Sequence, residues 1–350
     1  MKKRTVRFFA FAIISSCALL PARAQLYAGR VVDPLDQDFS ITLKPGLITS
    51  VSGYVKETKR AYTDIPGYTQ DYGRFLQNYD LEELGFDESY GALGLGIEKR
   101  WRFVTFLLDV SYFEASATAT AKDEPFAIGV EEVKFEGKSY DYMFIPQGSS
   151  ADVDLQAGSA ELGLLLTPFC ISTEEGFDFS PWLRAGLLAM GGSYTIDAGP
   201  AQGVRTYEYH PYPYVIGGTG EGWAGIVIPE FGIGGEMRIW LNPEGTKIVC
   251  QGNYMMLEWA GRSSSLGADS RNDKDIDLSY KSIDLTVMLE HPLSEGVDLL
   301  LGATFRHLET DATIEARHKS AEEQDAAREK YDKEASIEMN TFYLLAGLRF

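Results

Sequence analysis

Every second side chain from Phe342 to the last residue is apolar: Phe342, Leu344, Ala346, Leu348 and Phe350 alternate with Tyr343, Leu345, Gly347 and Arg349. Successive side chains of a strand point to opposite faces, so these five form one continuous greasy face. In water, a strand of this kind at a sheet edge would offer unpaired backbone and apolar surface to any neighbouring chain. In lipid the same strand has a place: its apolar face meets acyl chains while its backbone pairs sideways. The fold must therefore supply a partner for each edge of that strand.

Nine further segments carry comparable alternation. The ten predicted strands are 41–55, 89–99, 102–115, 152–167, 179–196, 224–241, 246–259, 277–290, 297–310 and 336–350. The third is the clearest, with Val104, Phe106, Leu108, Val110 and Tyr112 opposite Thr105, Asp109 and Ser111. Alternation alone does not separate a membrane strand from one in a soluble antiparallel sheet. The connections do. Turns at 100–101, 168–178, 242–245 and 292–296 are short or moderate, whereas 56–88, 116–151, 197–223, 260–276 and 311–335 are long and polar. Short–long alternation with an even strand number fits a membrane barrel with periplasmic turns and extracellular loops. Phase is ambiguous in the first and seventh strands. Residues 126–145 offer a further hairpin that would raise the count to twelve.

The N-terminus fits secretion. Lys2, Lys3, Arg4 and Arg7 precede a mostly apolar stretch, Phe8 to Leu20, and Ala22-Arg23-Ala24 offers a cleavage site. A lipoprotein reading around Cys17 is opposed by the apolar Ala18-Leu19-Leu20 that follows it. No apolar run of about 18 residues lies elsewhere, so only a closed barrel is available to cross a bilayer. The expected organisation is a signal peptide at 1–24, a short periplasmic segment at 25–40 and the barrel at 41–350. Cleavage would remove five cations and no acid, taking the formal charge from −19 to −24. Such a chain has no electrostatic case for nucleic acid. Cys170 and Cys250 lie near predicted turns, where their spacing leaves a disulfide undecided and small-residue filling is the simpler role.

The terminal Phe and its alternating neighbours resemble the C-terminal strand of bacterial outer-membrane β-barrels. That resemblance covers about residues 41–350. It implies an all-β, transmembrane, antiparallel up-and-down barrel of about ten strands, within a range of eight to twelve. It also implies outer-membrane lipid around the barrel and the barrel-assembly machinery as a partner that reads Phe342, Leu344, Ala346, Leu348 and Phe350. Trp101, Trp182, Trp240 and Phe350 near the periplasmic ends, with Tyr112, Trp223 and Trp259 near the outer ends, are read as two aromatic belts.

The same phasing sends Glu98, Asp109, Glu161, Arg184, Glu236, Arg238, Asp284, Arg306 and Arg349 inward. An Arg or Lys facing lipid near the midplane would cost about 2–4 kcal/mol, so the phase is a strong orienting signal. Ten strands lie near the size that side chains fill, which favours a paired ionic plug over a selective pore. Ten strands also resemble the omptin proteases, which cut at the barrel mouth with paired aspartates and an Asp–His couple. Here His307, Glu309 and Asp311 share a face, but His307 has the phase of Leu301, Ala303 and Phe305 and reads as a rim residue. No catalytic residue is assigned.

Residues 269–277 cluster oxygen ligands without the glycine and closing Glu of a Ca²⁺ loop, and Arg271 and Lys274 stand among the acids, so no metal or other cofactor is assigned. Residues 319–335 are expected to form a helical excursion. The run Tyr207 to Tyr214 suits either an exposed binding surface for an extracellular ligand or a lid. The resulting expectation is a non-enzymatic outer-membrane barrel with a structural or surface-interaction role through its acidic loops. A narrow pore is the alternative, and a surface hydrolase is third.

Overall fold

A computed structural model describes residues 38–60, 74–81, 85–86, 89–101, 103–121, 126–135, 138–145, 148–173, 176–200, 202–205, 214–263, 274–316 and 333–350. Sixteen strands are present among them. They are β1 (Phe39–Arg60), β2 (Arg74–Asp80), β3 (Tyr90–Trp101), β4 (Val104–Thr120), β5 (Phe126–Phe135), β6 (Lys138–Ile145), β7 (Ser150–Leu166) and β8 (Ile171–Thr173). They continue with β9 (Phe177–Asp197), β10 (Gln202–Arg205), β11 (Tyr214–Ile216), β12 (Thr219–Trp240), β13 (Lys247–Ser263), β14 (Lys274–Ser294), β15 (Val297–Ala316) and β16 (Lys333–Arg349).

Ten of these strands close into a ring. Antiparallel pairing runs β1–β3–β4–β7–β9–β12–β13–β14–β15–β16, and β16 returns to β1 through pairs such as Leu43 with Ala346. The C-terminal strand thus has a neighbour on each edge, which is what its apolar face demanded. Phe39 and Phe350 seal the short-turn end by exchanging backbone hydrogen bonds of 3.0 and 2.8 Å. Following paired residues once round the ring from Phe39 returns to β1 at Ser52. A stagger of about a dozen residues is the shear that tilted, closed barrels require.

The hairpin expected at 126–145 exists as β5–β6, but it stays out of the ring. β5 touches β12 only through Gly220 with Val133 and Glu221 with Glu132, and β6 pairs in parallel with β11. The barrel therefore has ten strands, not twelve. Short turns close one end of the barrel. Asn242 shows why one of them is tight: its side-chain oxygen accepts the Thr246 N–H at 3.0 Å, and Gly245 adopts φ +102°. The expected helical excursion is corrected at its end, where residues 333–335 already belong to β16; its body lies outside the described residues, as do the proposed signal peptide, 206–213 and 264–273.

Strands of 17–22 residues are much longer than a membrane requires. At about 3.3 Å per residue and a tilt near 40°, a 20-residue strand stands about 50 Å tall, twice the apolar band of about 25 Å. The side-chain pattern explains the surplus. On the lower half of β4, Phe106, Val110 and Tyr112 face out and are exposed, while Thr105 is buried. Above Tyr112 the signs invert: Glu114, Ser116 and Thr118 face out, while Ala115 and Ala119 are buried. β7 inverts likewise, from Leu162, Leu164 and Leu166 outside to Asp152 and Asp154 outside with Ala151 and Val153 within. On β14 and β15 the change comes at Lys281 and Glu309, which are paired neighbours.

A wall that is apolar outside and polar inside belongs in lipid; one that is polar outside and apolar inside belongs in water. The level of inversion is a waterline. Above it the barrel packs like a soluble sandwich around Ile48, Phe86, Tyr90, Ala115, Ile145, Val153 and Ile196.

Candidate functional site

The lumen of the membrane half is filled by ion pairs on rigid strands. At the short-turn end Arg100 donates two hydrogen bonds to Glu236, at 3.1 and 2.7 Å, and also pairs with Glu98. Arg238 lies 2.5 Å from the same Glu236 carboxylate, and Gln251 donates to it at 2.7 Å. Arg349 and Lys247 share Glu290, the latter at 2.5 Å. Asp38, just before β1, lies 3.7 Å from Arg100 and 3.6 Å from Arg349. Its burial pushes the carboxyl upward, against the pull of those two guanidinium groups.

Nearer the waterline, Glu161 pairs with Arg184, and Arg306 reaches across the lumen to it at 3.3 Å. β7 and β15 stand on opposite walls of the ring, so this contact bars the lumen. Arg306 also clamps Asp284 at 2.8 and 3.0 Å, and Lys44 pairs with Asp109. Above lies an apolar layer of Leu188, Ile228, Met255, Tyr280 and Leu308. Tyr280 donates to Glu230 at 2.6 Å where the two layers meet. Glu161, Glu230, Glu236 and Glu290 are all among the most deeply buried side chains. A charge so buried is tolerable only when paired and hydrogen-bonded.

Charges contributed by facing walls thus neutralise one another, and the apolar layer lies directly above them. A small cavity of about 60 Å³ remains at the short-turn end, lined by Arg100, Glu236, Trp182, Gln251 and Asn253 among others. Its size suits a few waters.

All nine residues assigned inward are in these ion-paired layers. Lys44, Arg100, Glu230, Lys247 and Glu290 join them without having been singled out. Glu230 was findable, since period two links it to Glu236. Lys44 and Lys247 sit on the strands whose phase was ambiguous, and Arg100 had been placed in a turn.

The belts need correction. Trp101, Phe350, Tyr112 and Trp223 are exposed on the outer face. Trp182 is not: it is 7% exposed, lies in the lumen on the phase of Arg184, and donates to Asn253 at 2.7 Å. Gly234 gives it room, because a Cβ there would collide with the indole nitrogen. Trp240 also has the lumen phase, at the lower rim, where it sits 4.8 Å from Lys247 Nζ and donates to Asp178. Trp259 pairs with Leu278 and so shares the inner face above the waterline. Depth alone had placed these three; phase decides.

His307 faces outward at the waterline. Its Nδ1 lies 2.9 Å from Asn340 Oδ1, and Asn340 donates to Ser50 at 2.8 Å, while Glu338 is 4.0 Å away. Cys170 and Cys250 are not joined in a disulfide. No cluster of His, Cys, Asp and Glu that could hold a metal is present among the described residues.

No protein-family model matches the chain, and no curated protein matches it. Three solved structures are similar in part. The outer membrane protease OmpT from Escherichia coli aligns with a TM-score of 0.37 and 12% identity, over 89% of this chain and 96% of that one. A Pseudomonas aeruginosa FadL homologue gives 0.21 and 6%, over 90% of each chain. The Ralstonia pickettii toluene transporter TbuX gives 0.22 and 7%, again over 90% of each.

Proposed function

We propose that this chain is an integral bacterial outer-membrane β-barrel, exported by a cleaved signal peptide and folded by the assembly machinery through its C-terminal strand. Its lumen is sealed, it is not an enzyme, and it acts through the tall extracellular half and acidic loops that it presents to the surroundings. The observation that carries this reading is the inversion of side-chain pattern halfway up the strands. It supports a lipid-embedded lower half and a solvent-facing upper half built around its own apolar core. The narrow-pore alternative is opposed by the Glu161–Arg306 bar and the apolar layer above it. The hydrolase reading is opposed by His307, whose near partner is an amide and whose side chain faces the membrane.

Single-channel recording in planar bilayers tests the sealed lumen. The expected trace shows no sustained openings for the purified protein. Steady openings whose conductance changes in Arg238→Ala or Arg306→Ala would replace the plug by a pore.

A further inference from the structure

The ring is continuous at its base but not at its full height. β12 and β13 pair only from Trp240 with Lys247 up to Phe231 with Met256. Above that rung β12 stays paired with β9 and β13 with β14, but not with each other. Pro229, two residues above the last rung, has no N–H to offer a neighbour. Higher still, β5 pairs with β12 at Gly220 and Glu221 and marks the upper limit of the unpaired edge. Between lies a window whose β12 post, residues 222–230, runs about 30 Å along the strand. It begins at the waterline, which crosses these strands near Ile228 and Glu258.

The window is greasy where the surrounding wall is polar. On its posts Val227 is 64% exposed, Trp223 66%, Trp259 47% and Ile226 42%. Immediately behind are the buried Ile228 and Met255 of the apolar layer. That layer ends on Glu230, fully buried, with Tyr280 on one carboxylate oxygen and no hydrogen-bond partner on the other among the described residues. Glu221 and Glu258 stand exposed on the posts.

We propose that this seam is a lateral binding site for a single-chain amphiphile whose head donates hydrogen bonds and bears no negative charge. The aliphatic chain lies against Ile226, Ile228 and Met255, out of water. Glu221 and Glu258 at the opening and Glu230 behind it repel an anionic head, and Glu230 offers an acceptor to an alcohol or amine. The inference rests on the membrane placement proposed above, and the apolar window itself stands on the register.

Two measurements on folded protein in phospholipid nanodiscs test it, with fold checked by heat-modifiable gel mobility. In the first, 12-bromododecanol quenches tryptophan fluorescence saturably, while 12-bromododecanoate binds about tenfold more weakly or less. Ile226→Glu, at a half-exposed position, abolishes the saturable quenching and leaves the gel shift intact. Equal, non-saturating quenching by both heads, unchanged in Ile226→Glu, means partition into the bilayer alone and overturns the site. In the second, Val227→Cys with Ala260→Cys, on a Cys170→Ser and Cys250→Ser background, resists direct disulfide formation because the posts are apart. Spontaneous oxidation of that pair would show a closed wall and refute the window. A protein that fails to enter nanodiscs would fail the membrane placement instead, and the amphiphile site with it.

Discussion

Glu161 shows what a single residue does in this lumen. It is 2% exposed and serves two guanidinium groups from different walls, Arg184 and Arg306. Removing one partner of a buried pair costs about 3–5 kcal/mol, because the remaining charge stays desolvated. Glu161→Ala is therefore expected to lower the barrel's unfolding free energy in urea, with lipid vesicles present, by about that amount. The Lys281–Glu309 pair gives the contrast. Its side chains are 42% exposed and 4.0 Å apart, so replacing either with Ala shifts the same measurement by less than about 1 kcal/mol. Charge identity was readable from period two wherever a strand's phase was clear, as for Asp109, Glu236 and Arg306. Partner choice was not readable, because Arg306 to Glu161 spans 145 residues and depends on how the ring closes.

For strands, the lower halves were legible throughout and the upper halves unevenly: β7 and β9 were read to within two residues of their ends. Every ring strand appears at its expected place, yet β1 and β4 each continue five residues beyond their expected outer ends. The reading followed apolar-out alternation and stopped where it stopped. The strands continue with the opposite sign, which a search for lipid-facing residues passes over as loop. Phase inversion makes a sharp mutational contrast. Leu187→Arg, on the lipid face of β9, is expected to cost about 2–4 kcal/mol of folding stability in vesicles. Thr118→Arg, equally outward on β4 but above the waterline, should stay within about 0.5 kcal/mol of the parent. The β5–β6 hairpin is a separate element at the long-loop end of the barrel. Replacing residues 128–143 with a short Gly-Ser linker should leave the heat-modifiable gel shift in place, since no ring pairing among the described residues involves that segment apart from the two outermost rungs of β12.

At the scale of the molecule, one wall of strands is built in two different ways end to end, with β3 stopping near the inversion and β2 beside β1 above it. The lower part is greasy outside and ionic within; the upper part is polar outside and apolar within. Most backbone pairs run through both halves without interruption, the β12–β13 seam being an exception, so on β4 and β7 the waterline is fixed by side chains rather than by any break in the sheet. Site-directed spin labelling along the outward face of β4 measures this directly. Nitroxides placed singly at Phe106, Val110, Tyr112, Glu114, Ser116 and Thr118 in lipid vesicles should be relaxed mainly by oxygen up to Val110. A water-soluble nickel complex should take over from Glu114 upward, with the crossover at Tyr112. Nickel accessibility along the whole strand, or oxygen preference continuing to Thr118, would contradict a membrane boundary at the inversion and the barrel's placement with it.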